Sequence, residues 1–127
     1  MNLLLVFLGA AAGGILRYLV MVGVTRALGE EFPWGTLVVN GAGSFLLGFF
    51  FGAEALWAGL GISLGAIRLI GVAGLCGGLT TFSTFSLQTL TLLSKGQTAR
   101  VFANIFGSLA LCLLAILAGF SLGGLAG

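Results

Sequence analysis

Between Gly74 and Ser86 the chain reads GLCGGLTTFSTFS, an uncharged run with five hydroxyl side chains, three glycines and two phenylalanines. Such groups can take the place of water around a small ion. Hydroxyls donate to an anion, backbone carbonyls coordinate a cation, and a phenyl ring carries a negative face but a positive edge. Phe82 and Phe85 lie three apart on one helical face, with Ser83, Thr84 and Ser86 on an adjoining one. The rings either pack in the core or present edges that solvate an anion weakly enough for it to leave again. Gly77 and Gly78, poor helix formers, also read two ways. They are either a close-packing pair or a break whose freed carbonyls would hold a small hard cation without any carboxylate.

Two further sets of polar residues fall in register. Thr36, Asn40 and Ser44 recur every fourth residue and so share a helix face, as do Asn104, Ser108 and Cys112. Hydrogen-bonding glue between helices accounts for such residues one at a time, whereas two rows opposite a third polar face point to a lined pathway. Catalysis lacks its parts. There is no histidine, and the three acidic residues, Glu30, Glu31 and Glu54, fall in or beside the expected connections, so neither general acid–base chemistry nor a side-chain metal cluster can be assembled. A scattered net charge of +2 offers no basic run for nucleic acid. Cys76 and Cys112, far apart and inside expected spans, read as small buried apolar fillers rather than a disulfide or metal site.

The elements that must position these groups follow from composition. With 6% charged and 59% hydrophobic residues and a mean hydropathy of +1.23, the chain has too little polar surface to clothe a soluble domain, and 127 residues make room for about four spans of roughly 20 residues each. The fold class is therefore all-α integral membrane: a single four-helix transmembrane subunit over 1–127, with helices over about 3–24, 33–57, 63–93 and 101–122. The opening MNLLLVFLGAAAGG lacks leading positive charge and runs on through Val24, so a retained first helix is expected rather than a cleaved leader. Glycines recur at spacings of four (Gly9 and Gly13, Gly48 and Gly52, Gly61 and Gly65, Gly74 and Gly78), which lets helix backbones approach closely. Arg26, Lys95 and Arg100 stand on one side against Arg68 and the chain's own amine on the other, a mild bias compatible with insertion in either orientation.

GGILRY (Gly13 to Tyr18), PWGTLVVNGAGSFLLG (Pro33 to Gly48) and above all GLCGGLTTFSTFS (Gly74 to Ser86) resemble the Fluc/CrcB family of bacterial fluoride channels, in the right order along the first three helices. The fourth helix matches in character only. The resemblance implies an antiparallel, dual-topology homodimer in the bacterial inner (cytoplasmic) membrane, with a break in helix 3 and two fluoride pores along the subunit interface. It implies a structural sodium ion on the two-fold axis, held by the backbone carbonyls of Gly77 and Thr80. It assigns Phe82, Phe85 and Asn40 to the pore, Ser83, Thr84 and Ser86 to a hydroxyl track, Ser108 to a looser pore position, and Arg17 to a vestibule that draws anions in. The expected activity is passive export of cytoplasmic fluoride, relieving its toxicity, with no enzymatic step, no organic cofactor and no nucleic-acid partner. Two rivals stand beside it. A small multidrug-type antiporter needs a membrane-embedded glutamate that helix 1 lacks, and a structural subunit of a larger complex would use the hydroxyls as glue alone.

Overall fold

The computed structural model describes residues 2–126. Four helices are long and apolar enough to cross a membrane, over Leu3–Leu28, Trp34–Gly52, Leu64–Ser94 and Thr98–Ala126, which makes this a multi-pass membrane protein. The first is α1 (Asn2–Leu28), which outlasts the expected boundary by a turn and stops at Gly29, whose φ of 85° a side chain would resist. Pro33 sits immediately before α2 (Trp34–Gly52) and, lacking an N–H, costs that helix start nothing.

The second span is shorter than the expected 33–57. It stops at Gly52, and Ala53, at φ −92° and ψ 22°, separates it from a short helix, α3 (Glu54–Gly59). The turn is held because Trp57 Nε1 donates to the Phe50 carbonyl at 3.0 Å and its ring lies 6.1 Å from those of both Phe49 and Phe50. Outside it, Arg68 pairs with Glu54 at 2.7 Å and lies over the Phe51 ring. Gly61, at φ 76°, turns the chain into the third span.

That span is composite. A helical turn α4 (Leu64–Ala66) leads into a π-helical stretch, Ile67–Cys76, then a further turn, α5 (Gly77–Leu79). Two extended residues follow, Thr80 and Thr81, before α6 (Phe82–Ser94). The last span is α7 (Thr98–Ala126), longer at both ends than the expected 101–122.

Glycine decides which backbones touch. Gly9 and Gly13 of α1 meet Gly74 and Gly78 of the third span so closely that a Cβ on Gly74 would lie 2.8 Å from the Gly9 Cα. The second seam joins α2 and α7, where Gly48 and Gly52 face the backbone of Ile116 and Phe120, and Gly119 and Gly123 face that of Phe45 and Phe49. Both contacts advance together along the sequence, so each seam joins parallel helices, α1 with the third span and α2 with α7. Gly61 and Gly65 take no part in such a seam: the first serves a turn, and a Cβ on the second would meet only the Ser63 hydroxyl at 3.5 Å.

Candidate functional site

The third span is interrupted, but not at the glycine pair. Gly77 is helical, at φ −62° and ψ −39°, and Gly78 is clasped against the backbone of Ala10. The interruption lies at Thr80 (φ −82°, ψ 157°) and Thr81 (φ −149°, ψ 118°). Broken backbone among apolar helices must find other partners, and here it finds Asn40. The Thr81 N–H donates to Asn40 Oδ1 at 2.8 Å, and Asn40 Nδ2 donates back to the Thr81 carbonyl at 3.2 Å. One side-chain amide thus imitates a strand partner across the gap. In a continuous helix that Thr81 N–H would serve the Gly77 carbonyl; its diversion leaves the Gly77 oxygen without that donor. Thr80, with extended ψ, turns its own carbonyl off the helix axis.

The threonines finish the two helix ends. Thr80 Oγ1 donates to the Cys76 carbonyl at 2.9 Å. Thr81 Oγ1 accepts from the Thr84 N–H at 3.3 Å, an N-cap for α6. It also donates to Thr84 Oγ1 at 3.1 Å.

Beside the break lies a cavity of about 660 Å³, and none of its lining residues is charged. Asn40 and Ser44 border it from α2, Gly77 from α5, Thr80 and Thr81 from the break, Phe82 and Phe85 from α6, and Ser108 from α7. Phe82 is 78% exposed in the single chain, and its ring centroid lies 5.9 Å from that of Phe85, at an interplanar tilt of 36°. Of the residues the resemblance singles out, Asn40, Gly77, Thr80, Phe82, Phe85 and Ser108 therefore come together at one cavity. Ser83, Thr84 and Ser86 do not line it; Ser83 and Ser86 are exposed on α6, while Thr84 is tied to Thr81. Arg17 is half-buried on α1, away from the cavity, and among the described residues its guanidinium makes no hydrogen bond or ion pair.

The polar rows divide between the two roles left open by the sequence. Thr36, 1% exposed, donates to Gln88 Oε1 at 2.6 Å. Asn104, also 1% exposed, donates to Thr89 Oγ1 at 2.9 Å. Both are glue. Asn40, Ser44, Ser108 and Cys112 face the cavity. Gln88 and Thr89, the partners of the glue, escape the sequence reading; their signal was the continuation of the Thr81 and Thr84 rows by three- and four-residue steps. The cysteines differ from the expectation of buried fillers: Cys76 is 5% exposed, but Cys112 is only half-buried, and both border the cavity.

A small polytopic bundle with an asparagine-bridged break beside an uncharged, polar-dotted cavity is the class of protein that these features define. The model of the family described as "CrcB-like protein, Camphor Resistance (CrcB)" matches residues 4–120. The chain belongs to that family. It is 44% identical to the "Fluoride-specific ion channel FluC" of Nitrobacter winogradskyi over 120 residues, 94% of this chain and 93% of the relative. Likewise named proteins of Rhizobium meliloti (46% over 121 residues, 95% and 94%) and Opitutus terrae (49% over 115 residues, 89% and 85%) are similar over comparable lengths. These relatives are named as channels, not as enzymes.

Proposed function

We propose that this chain is one subunit of a fluoride-selective, passive anion channel that exports cytoplasmic fluoride across the bacterial inner membrane. The observation that supports this best is the union, at one cavity without a charged residue, of the Asn40-bridged break and the Phe82 and Phe85 rings. Moving a small anion into hydrocarbon unaided costs tens of kcal/mol by Born solvation, so donors must replace its water. A fixed cationic side chain would hold the ion too tightly for conduction; amide hydrogens and ring edges supply solvation without that trap. Fluoride accumulates in a cell because its neutral acid crosses the bilayer and dissociates inside. An interior-negative potential then drives the anion out, with about 2.3 kcal/mol per charge per 100 mV.

A second copy, inserted antiparallel, completes the channel in this reading. The cavity is open in the single chain, and Phe82 stands largely free, so two pores form where subunits meet. The Gly77 and Thr80 carbonyls suit a sodium ion: both are neutral oxygens, and neither is committed to helix pairing. Two oxygens from one chain are too few to replace a hard cation's water shell; a copy related by two-fold symmetry doubles the set to four. Bound there, sodium would supply a fixed positive charge and tie the subunits together. Ser83, Thr84 and Ser86 remain the hydroxyl track of the assembled dimer, on faces of α6 that the single chain leaves outside its cavity.

Purified chain in liposomes is expected to release fluoride with little chloride when the membrane potential is collapsed by an ionophore. Equal chloride release, or silence, would dismiss the reading in favour of a non-selective pore or an assembly subunit. Arg17 serves the vestibule by concentrating anions electrostatically. Arg17→Gln should therefore lower fluoride current several-fold at low fluoride and low salt and much less when either is high; a current equally unaffected under all conditions would leave Arg17 only a snorkelling role.

A further inference from the structure

Most donors around the cavity are already committed. Thr80 Oγ1 gives its proton to the Cys76 carbonyl, Thr81 Oγ1 to Thr84, and Ser108 Oγ to Asn104 Oδ1 at 3.4 Å. One of the two Asn40 Nδ2 protons goes to the Thr81 carbonyl. That leaves the other Asn40 proton and the hydroxyl of Ser44. A serine inside a helix ordinarily turns back on the carbonyl four residues earlier, yet Ser44 makes no hydrogen bond to another described residue. It is half-buried, and it borders the cavity.

Its height in the bundle is fixed by the α2–α7 seam. Gly41 meets Leu111 on one side of Ser44, and Gly48 meets Ile116 and Phe120 on the other, so Ser44 lies one helical turn or about 6 Å beyond Asn40, and Cys112 faces the cavity between those two levels. The remaining cavity walls include Leu47, Val72 and Leu109, which offer an anion no donor. From this geometry, and resting on the channel reading above, we infer that Ser44 is a second anion-binding station, the hydroxyl that keeps fluoride hydrogen-bonded after it leaves the Asn40 level, and that the conduction path runs past Cys112.

Fluoride efflux from liposomes tests this. Ser44→Ala should fold as the wild type does and lower fluoride efflux about tenfold or more, the order expected for one hydrogen bond to an ion. An independent arm uses the native thiols. Mercuric chloride, a small neutral reagent, forms an S–Hg bond as the thiol proton and one chloride leave. Its adduct should block efflux in the wild type and in Cys76→Ser but not in Cys112→Ser. Unchanged efflux in well-folded Ser44→Ala overturns the inference, as does a Cys112 adduct, verified by intact mass, that leaves efflux unaltered. Should Ser44→Ala not fold, the mercury arm decides. Wild-type liposomes that release no fluoride would instead overturn the channel reading itself.

Discussion

Asn40→Ala lowers fluoride efflux by about a hundredfold or more, because buried backbone groups left without partners cost about 1–3 kcal/mol each and this side chain serves two of them. It accepts from the Thr81 N–H and donates to the Thr81 carbonyl. Alanine strands both groups at the interruption, and it also removes the remaining amide proton from the anion's path. Asn40→Asp separates the two losses. A carboxylate still accepts from the Thr81 N–H but donates nothing to the carbonyl, and its negative charge repels a halide. Thermal unfolding in detergent should therefore place the aspartate variant between alanine and wild type, while its efflux stays as low as that of alanine. An alanine variant with near-normal melting and near-normal efflux would mean that the break is held by something else.

The role of Asn40 also marks how far the sequence was legible. Its position in a row with Thr36 and Ser44 identified a helix face, and periodicity does no more than that. Which member of the row meets backbone, side chain or open space depends on what the neighbouring helix presents at each level. At the level of Thr36 the neighbour presents Gln88, and the pair closes on itself. At the level of Asn40 it presents unpaired backbone, and one turn further on only the cavity. The row on α7 splits for the same reason, with Asn104 taken up by Thr89 and Cys112 left facing open volume.

The interruption itself was legible as an event but displaced by three residues. Low helix propensity pointed to Gly77 and Gly78, yet both stay helical, and Gly78 is pressed against the α1 backbone at Ala10. The chain opens instead at two β-branched threonines, residues that accept extended dihedrals readily and whose hydroxyls cap the helix ends created there. The π-helical character of Ile67–Cys76 left no sign in hydropathy, since an apolar run reads alike in either helix type. Four spans were plain from composition. The separation at Ala53 was not, because Glu54 and Trp57 fit an amphipathic end of α2 as well as a separate helix.

The glycine seam between α1 and the third span yields the other large expected effect, and adjacent residues supply the control. A Cβ at Gly13 would collide with the Leu75 carbonyl and lie 2.8 Å from the Leu79 nitrogen and 3.1 Å from the Gly78 carbonyl carbon. All three are backbone atoms, so no rotamer change relieves the clash and the helices must part. Overpacking of this kind costs about 1–3 kcal/mol or more. At Gly14 a Cβ meets nothing within 4 Å, and alanine there gains the helix preference that glycine lacks, about 0.5–1 kcal/mol. Gly13→Ala should therefore lower the melting temperature in detergent, and Gly14→Ala should leave it unchanged or raise it. Efflux should separate in the same direction, since Gly78 and Leu79 lead directly into Thr80 and Thr81 and any displacement of them pulls Thr81 from Asn40. Helix propensity by itself assigns both substitutions the same sign. Equal shifts at the two positions would therefore show that the backbones of α1 and the third span do not meet at Gly13.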